Sequence, residues 1–318
     1  MVKSILNLIR WKNLAISALT ILVLKYCVFE VAIGRLFSMS HSTLDLRDTL
    51  LLCISVALIG GAGYIINDLN DIKADLINKP DKVIINKGVS EKLAHALYLI
   101  FNIVGIIIAV YIGDKQGDYQ LALIHVFTTA ILWIYSTYFK NSLLIGNFLV
   151  AIASAFIPLV YLVFEGLGYI NLFKQSILEG PLQVLFYFSI ILAGFAFLLT
   201  MIREIIKDLQ DEKGDYAVGG KTAPIALGTT VTKAIVYLLA IVFAGSCAYL
   251  LHTQLDFNPF NTWFFYFYAY LLIIIPSIFL IYDLSKSRSN DDYQTASNLV
   301  KIIMLTGIIT TVLYATNV

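Results

Sequence analysis

Nine segments of the chain are almost continuously apolar, and each is long enough to cross a membrane as a helix. A hydrocarbon core about 30 Å thick requires roughly 20 residues of helix. The nine segments are residues 14–33, 48–67, 93–112, 119–138, 142–164, 181–202, 232–251, 262–282 and 298–317. Lys25 and Glu30 interrupt the first of them. The pattern predicts an all-α polytopic membrane protein with nine transmembrane helices.

Composition supports the same class of protein. Of the 318 residues, 59% are apolar and 14% are charged. Soluble domains carry about 25% charged residues, so this chain has too little polar surface to be solvated on all sides. The net charge of +1 gives no basis for nucleic-acid binding. We therefore expect a single integral membrane domain that spans residues 1–318.

The distribution of Lys and Arg indicates how the helices are oriented. With a cytoplasmic N-terminus, 17 of the 22 basic residues fall on the cytoplasmic side of the predicted helices. The opposite side carries Arg35, Arg47, Lys115 and Lys174. By the positive-inside rule, we expect the N-terminus in the cytoplasm and the C-terminus outside, in the plasma membrane of the cell.

Acidic and amide side chains are concentrated where the second predicted helix ends. Asn67, Asp71 and Asp75 are four residues apart, so they share one face if the helix continues, and Asp68 flanks that face. Such a cluster repels itself unless a cation lies within it. Mg²⁺, with Mn²⁺ as an alternative, takes oxygen ligands of this kind, and substrate phosphates usually complete its shell.

A second stretch repeats the first. Residues 205–215 align with residues 65–75 without a gap, and seven of the eleven positions are identical. The predicted orientation places both stretches on the cytoplasmic side. We therefore predict a parallel repeat around a central cavity, with helices 2–5 (48–164) equivalent to helices 6–9 (181–317) and helix 1 additional. Basic loops after helices 2 and 6 would form a cap. The residues expected to break the helices there are Pro80, Gly88, Gly214, Gly219, Gly220 and Pro224.

A diphosphate ester bound through Mg²⁺ suits two acidic helix ends beneath two basic loops. Carboxylates hold the metal, the metal holds the phosphates, and Lys or Arg side chains neutralise the other phosphate oxygens. An allylic isoprenoid chain could lie between the helices and ionise to an allylic cation and pyrophosphate. A membrane transporter is the alternative from another class, but it predicts acids spread along several helices at mid-membrane.

The two stretches resemble motifs of the UbiA superfamily of intramembrane prenyltransferases. The first motif of that family is Asn-x-x-x-Asp-x-x-x-Asp, and the second is Asp-x-x-Asp-x-x-x-Asp. The matching positions are Asn67, Asp71, Asp75, Asp208, Asp211 and Asp215. The resemblance continues through residues 78–82, 135–140, 146–147 and 221–228 and covers essentially the whole chain. It implies Mg²⁺-dependent transfer of a prenyl group from a polyprenyl diphosphate within the membrane lipid.

The resemblance also implies roles for individual residues. The metal ligands would be the six motif residues together with Asp68. The candidates for binding the diphosphate are Lys82, Tyr135, Lys140, Arg203, Lys207 and Lys221. Arg10 and Asn13 fit the Arg-Pro-x-Asn pattern of the family, without its proline, and are candidates for binding the acceptor.

One branch of the family is most similar near the second motif. Residues 203–208, Arg-Glu-Ile-Ile-Lys-Asp, are similar to the digeranylgeranylglyceryl phosphate synthases. That similarity implies geranylgeranyl diphosphate as donor and the hydroxyl of geranylgeranylglyceryl phosphate, a lipid, as acceptor. Residues 82–87 depart from the branch, because they lack its usual Arg and two prolines. The alternative is an aromatic acceptor of the hydroxybenzoate, naphthoate or homogentisate type used in quinone biosynthesis.

Overall fold

The protein is helical throughout the part of the chain that the computed structural model describes. The described residues are 2–36, 42–173, 176–253 and 262–317. Across these ranges there is no β-strand, and nine helices are long and apolar enough to cross a membrane. The prediction of an all-α fold with nine transmembrane helices is confirmed. Lys174, predicted to face outward, lies outside the described residues.

The nine long helices are named in chain order. They are α1 (Trp11–Gly34), α2 (Leu46–Asn70), α3 (Glu91–Lys115), α4 (Tyr119–Phe139), α5 (Ile145–Asn171), α6 (Gly180–Ala217), α7 (Thr229–Thr253), α8 (Trp263–Lys286) and α9 (Asn290–Leu313). Shorter helices at Val2–Leu8, Ile72–Asn78 and Ala223–Leu227 precede α1, follow α2 and precede α7. Helix α4 ends in a π-helical turn at Tyr135–Phe139, in which backbone hydrogen bonds join residues five apart.

Helix α6 is longer than the apolar pattern predicts and contains the second acidic motif. Of the residues expected to break this helix, Gly214 does not, because the backbone stays helical to Ala217. The break falls at Gly219, whose φ of 80° lies in the left-handed region that favours glycine. The Gly220 N–H then donates to the Asp215 carbonyl at 2.8 Å. The apolar pattern ends near residue 202, whereas the helical hydrogen bonds continue to Ala217.

Contacts within the chain group into two units, and the first comprises residues 1–140 and 156–190. Within this unit α2 and α3 approach closely, because small residues face each other. The Ser55 hydroxyl donates to the Gly105 carbonyl at 2.7 Å. A Cβ at Gly105 would lie 3.0 Å from Cδ1 of Ile59. Close approach through small residues and a side-chain hydrogen bond is a common basis of helix packing in membranes.

The two charges within α1 belong to a buried polar network of the first unit. The Lys25 Nζ lies 3.1 Å from the Glu30 carboxylate and 2.9 Å from the Ser42 hydroxyl. Glu165 of α5 is fully buried and accepts hydrogen bonds from the Ser42 hydroxyl at 2.9 Å and the Leu44 N–H at 3.0 Å. Pairing with opposite charges and with N–H donors accounts for ionised groups in an apolar segment.

The second unit comprises residues 141–155 and 191–318. Its core is formed where α6, α7, α8 and α9 pack together, with Ile205, Phe243 and Ala296 buried at the contacts. This packing holds one face of α6 against its neighbours. The acidic motif therefore projects from a helix whose position is fixed by apolar contacts.

The turn between α3 and α4 wraps tightly around Gly113. The Asp118 N–H donates to the Gly113 carbonyl at 2.9 Å, and Gly117 has a φ of 84°. A Cβ at Gly113 would lie 2.8 Å from the Asp118 carbonyl oxygen. Since that contact is with backbone, the turn itself has to shift to admit a methyl group.

Gly113→Ala is therefore expected to destabilise the protein by about 1–3 kcal/mol, the usual cost of overpacking. Thermal unfolding in detergent should show a lower Tm than that of the wild type. Gly245→Ala in α7 is the matched control, because a Cβ there meets no heavy atom within 4 Å. Equal Tm values for the two variants would contradict the close approach at Gly113.

Candidate active site

The first acidic motif crosses the end of α2 without losing its register. Helix α2 ends at Asn70, and the chain continues after Asp71 as the short helix Ile72–Asn78. The Asp71 N–H donates to the Asn67 carbonyl at 3.1 Å, and the Asp75 N–H donates to the Asp71 carbonyl at 2.9 Å. Because these bonds join residues four apart, the three motif residues stay one helical turn apart.

The Asp71 carboxylate is held by an amide and a cation. The Asn67 side-chain N–H donates to Asp71 Oδ2 at 2.8 Å, and the Lys140 ammonium forms an ion pair with the same oxygen. The carbonyl oxygen of the Asn67 side chain is buried without a hydrogen-bond partner among the described residues. A hard divalent cation would bind this oxygen together with the neighbouring carboxylate. Without such a cation, the oxygen remains a buried polar atom with no hydrogen-bond partner among the described residues.

The π-helical turn of α4 determines where Lys140 lies. Its N–H donates to the Tyr135 carbonyl at 2.8 Å, so residues five apart are stacked. In a regular α-helix, residues five apart are rotated by about 140° around the axis. The turn is joined to α2, because the Asn70 side chain donates to the Ser136 carbonyl at 2.9 Å. Tyr135 and Lys140, the two residues predicted to bind diphosphate at the end of α4, therefore lie together beside the first motif.

Arg10 and Asn13 converge on one turn of α2, where both contact Tyr64. The Arg10 guanidinium lies 2.9 Å from Asp68 Oδ1 and 4.7 Å from the centre of the Tyr64 ring. The Asn13 side chain donates to the Tyr64 hydroxyl at 3.0 Å. Asp68 is thus paired with Arg10, whereas Asp71 is paired with a different cation.

Three acids of the second motif lie on the continuous helix α6, at spacings of three and four residues. Asp208, Asp211 and Asp215 therefore share one face. The Asn147 side chain of α5 donates to Asp208 Oδ2 at 2.8 Å. Asp215 is buried, and Asp211 is half-buried. An amide thus holds a carboxylate in this motif, as Asn67 does in the first.

One carboxylate organises the cations that precede the second motif. Glu204 accepts a hydrogen bond from Arg203 at 2.8 Å and from Lys207 at 2.7 Å. The sequence interpretation missed Glu204, although its spacing of three residues from Lys207 is typical of an ion pair on a helix. It also assigned no role to Tyr64 or Asn147, since both act through tertiary contacts.

The remaining candidates lie in the loops. Lys221 is exposed, and its backbone N–H donates to the Asn141 carbonyl at 2.7 Å. Lys82 ends a single helical turn, Pro80–Lys82, and its side chain lies outside the described part of the structure. The candidate ligands therefore form two clusters, each described within its own unit, with further cations in the loops.

Oxygen atoms dominate both clusters, so the donor set suits Mg²⁺. Within the described ranges, no three Asp, Glu, His or Cys side chains group closely enough to hold a metal ion by themselves. Mg²⁺ is usually bound through one or two carboxylates plus substrate phosphates rather than by an all-protein cage. The residues thus fit a metal whose coordination the substrate completes.

In the described part of the chain, nine helices are long and apolar enough to cross a membrane, and two clusters of acids and amides lie on them. These features define an integral membrane protein. Comparison with known families agrees, since the UbiA prenyltransferase family matches residues 27–305. The chain belongs to the UbiA prenyltransferase family, and it is a transferase. The resemblance inferred from the motifs is confirmed.

Two curated relatives of the chain carry the same name. The chain is 30% identical over 258 residues to the digeranylgeranylglyceryl phosphate synthase of Methanobrevibacter smithii, which covers 80% of this chain and 81% of that protein. It is also 30% identical over 286 residues to the enzyme of the same name from Saccharolobus solfataricus. That match covers 89% of this chain and 91% of the Saccharolobus solfataricus protein. These matches span most of both chains in each case.

Solved structures with the same fold have lower sequence identity. A structure of digeranylgeranylglyceryl phosphate synthase in membranes is 22% identical, has a TM-score of 0.60, and covers 99% of this chain and 98% of that chain. A UbiA homologue from Aeropyrum pernix is 15% identical, has a TM-score of 0.63, and covers 96% of this chain and 97% of that chain. A UbiA homologue from Archaeoglobus fulgidus bound to GPP and Mg²⁺ is 16% identical, has a TM-score of 0.56, and covers 97% of this chain and 99% of that chain. These similarities confirm the fold.

Proposed function

We propose that the protein transfers a geranylgeranyl group from geranylgeranyl diphosphate to the hydroxyl of geranylgeranylglyceryl phosphate. The observation that carries the donor half is the cluster of Asn67, Asp71 and Lys140, which puts oxygen ligands beside a cation. The acceptor half rests on the name of the relatives at 30% identity and on the similarity of residues 203–208 to that branch.

Mg²⁺ is the proposed cofactor, and Mn²⁺ is the alternative with the same ligand preference. The residues proposed to bind Mg²⁺ are Asn67, Asp71 and Asp75 in the first cluster, and Asp208, Asp211 and Asp215 in the second. When bound, the metal neutralises the charge that develops on the diphosphate as the bond from its oxygen to the allylic carbon breaks. The Archaeoglobus fulgidus homologue supports this assignment, because it was solved with GPP and Mg²⁺.

The side chains around the clusters bind and orient the two substrates. Lys140, with Tyr135 beside it, donates to diphosphate oxygens, and Arg203 and Lys207 do the same from α6. The acceptor hydroxyl forms an ether bond with the allylic carbon, and pyrophosphate and the hydroxyl proton leave. The apolar helices exclude water, which would otherwise capture the allylic cation.

The proposed location is the plasma membrane, with the N-terminus and both acidic motifs in the cytoplasm. The asymmetry of the basic residues supports this orientation. A cytoplasmic site would also have direct access to Mg²⁺ and to a diphosphate that cannot cross the bilayer.

Acceptor identity is tested with a panel of compounds. Membranes containing the protein are incubated with radiolabelled geranylgeranyl diphosphate, Mg²⁺ and either geranylgeranylglyceryl phosphate or aromatic acids, and the products are identified by mass. We expect a labelled ether of the phosphate lipid. Prenylation of hydroxybenzoate, naphthoate or homogentisate alone would establish the aromatic alternative, to which the departures in residues 82–87 point.

The metal-binding role is tested by removing single charges. Asp71→Asn and Asp211→Asn keep the size of the side chain, and each should lower kcat by roughly 10²–10³-fold, as expected for the loss of one electrostatic stabiliser. Addition of EDTA should abolish turnover by the wild type. Full turnover in EDTA would refute the metal assignment.

Glu212→Gln is the matched control for Asp211→Asn, because it removes the same charge from the next residue. The position equivalent to Glu212 in the first motif is Ile72, whose side chain has no oxygen to bind a metal. Its kcat should stay close to that of the wild type. Equal losses in both variants would mean that the total charge of this segment matters, rather than a set of ligands.

Orientation is tested with reporter fusions in residues 70–90 and 208–230. Both reporters should give the cytoplasmic signal, because the loops after α2 and α6 carry a large share of the basic residues. Signals from opposite sides of the membrane would exclude the parallel repeat.

A further inference from the structure

Two side chains on α2, Tyr64 and Asp68, form a cluster with the N-terminal residues Arg10 and Asn13. We call these four residues the N-terminal polar cluster. Asp68 pairs with the Arg10 guanidinium, and the Tyr64 ring lies against the guanidinium while its hydroxyl accepts from Asn13. Each contact joins Arg10 or Asn13, at the start of α1, to the last two turns of α2, where the first acidic motif begins.

The backbone of Arg10 indicates that its side chain is needed where it lies. Arg10 has φ 52° and ψ 51°, a left-handed conformation that glycine adopts readily and that residues with a Cβ avoid. It lies between the short helix Val2–Leu8 and α1, where glycine would make the same turn without strain. Strained residues of this kind persist where surrounding contacts hold them, and they concentrate at functional sites.

Asp68 and Asp71 have different partners, although they are only three residues apart in the chain. Asp68 is paired with Arg10, whereas Asp71 is paired with Lys140 and hydrogen-bonded to Asn67. A carboxylate engaged by a guanidinium serves as the counter-charge of that cation. The contacts of Asp68 therefore favour pairing with Arg10 over the predicted role as a metal ligand.

A guanidinium fixed on one side by a carboxylate and on one face by an aromatic ring is oriented for a second anion. Arg binds phosphate in a planar, two-point manner that a mobile side chain performs less well. The Asn13 amide adds a neutral hydrogen-bonding group next to it. The chemistry of this cluster suits the anionic head of an acceptor, such as a phosphate monoester.

We propose that Tyr64 and Asp68 are positioning residues that orient Arg10 and Asn13 toward the anionic head of the acceptor, and that Asp68 is not a metal ligand. This inference rests on the proposed function, since it concerns the second substrate of the same reaction. The first acidic motif then serves the donor through Asn67, Asp71 and Asp75, while the N-terminal polar cluster serves the acceptor.

The test compares kinetic constants for the full-length enzyme in detergent with Mg²⁺. Asp68→Asn and Tyr64→Leu should raise the KM for the phosphate acceptor by about tenfold or more, the effect expected from weakening a hydrogen bond to a charged group. The KM for the donor and the Mg²⁺ concentration that gives half-maximal rate should change by less than about twofold. Tyr64→Phe keeps the ring and loses the hydroxyl, so its effect should be smaller than that of Tyr64→Leu.

A second readout separates orientation of the acceptor from a structural role. The wild type should prefer geranylgeranylglyceryl phosphate over the same lipid without its phosphate, and Tyr64→Leu should lose most of that preference, as should Arg10→Gln. Binding of the donor with Mg²⁺, measured by calorimetry, should be unchanged. Tyr119→Phe is the matched tyrosine control, since Tyr119 is 62% exposed and lies away from the cluster in sequence.

The outcomes are distinct from those that test the proposed function. If the wild type does not use the phosphate lipid, the proposed function fails, and the variants are measured with whichever acceptor the wild type does use. An unchanged acceptor KM in Asp68→Asn and Tyr64→Leu overturns this inference with any acceptor. A shift in the Mg²⁺ requirement of Asp68→Asn, without a change in acceptor KM, would establish Asp68 as a metal ligand.

Discussion

Ionised side chains in and beside an apolar bilayer need partners, and this requirement explains the ion pairs among the described residues. An uncompensated charge in a low-dielectric environment costs several kcal/mol, so charges are retained where a cation, an anion or an N–H group meets them. Asp71 meets Lys140, Glu204 meets two cations, and Lys25 meets Glu30 in the middle of an apolar helix. The same pairing that makes these groups tolerable also fixes their positions.

The two acidic motifs differ in how they are held. Position 64 in the first copy is equivalent to position 204 in the second, one residue before the matching pairs of isoleucines. Tyr64 contacts Arg10 and Asn13 from another helix, whereas Glu204 contacts cations on its own helix. Equivalent positions of the two aligned stretches thus hold cations near both motifs, through a ring in one case and a carboxylate in the other.

Helix number, fold class and family could be predicted from the sequence, because they depend on local patterns. Runs of apolar residues define the nine spans, and the spacing of Asn67, Asp71 and Asp75 already places them one turn apart. The contributions of Tyr64 and Asn147 could not be predicted, since each depends on which helices become neighbours. Which glycine ends α6 could not be predicted, because Gly214 and Gly219 look alike in sequence. Only the backbone shows that Gly214 is helical and that Gly219 has a positive φ.

The π-helical turn at Tyr135–Phe139 changes how this region has to be compared with relatives. A π-turn holds one more residue than an α-turn does over nearly the same length of helix. Tyr135 and Lys140 therefore lie on one face although five positions separate them, whereas a relative with a regular helix would present the same pair four positions apart. Equivalent residues have to be matched by turns of helix, and an alignment that opens no gap here will pair Phe139, an aromatic side chain, with a lysine.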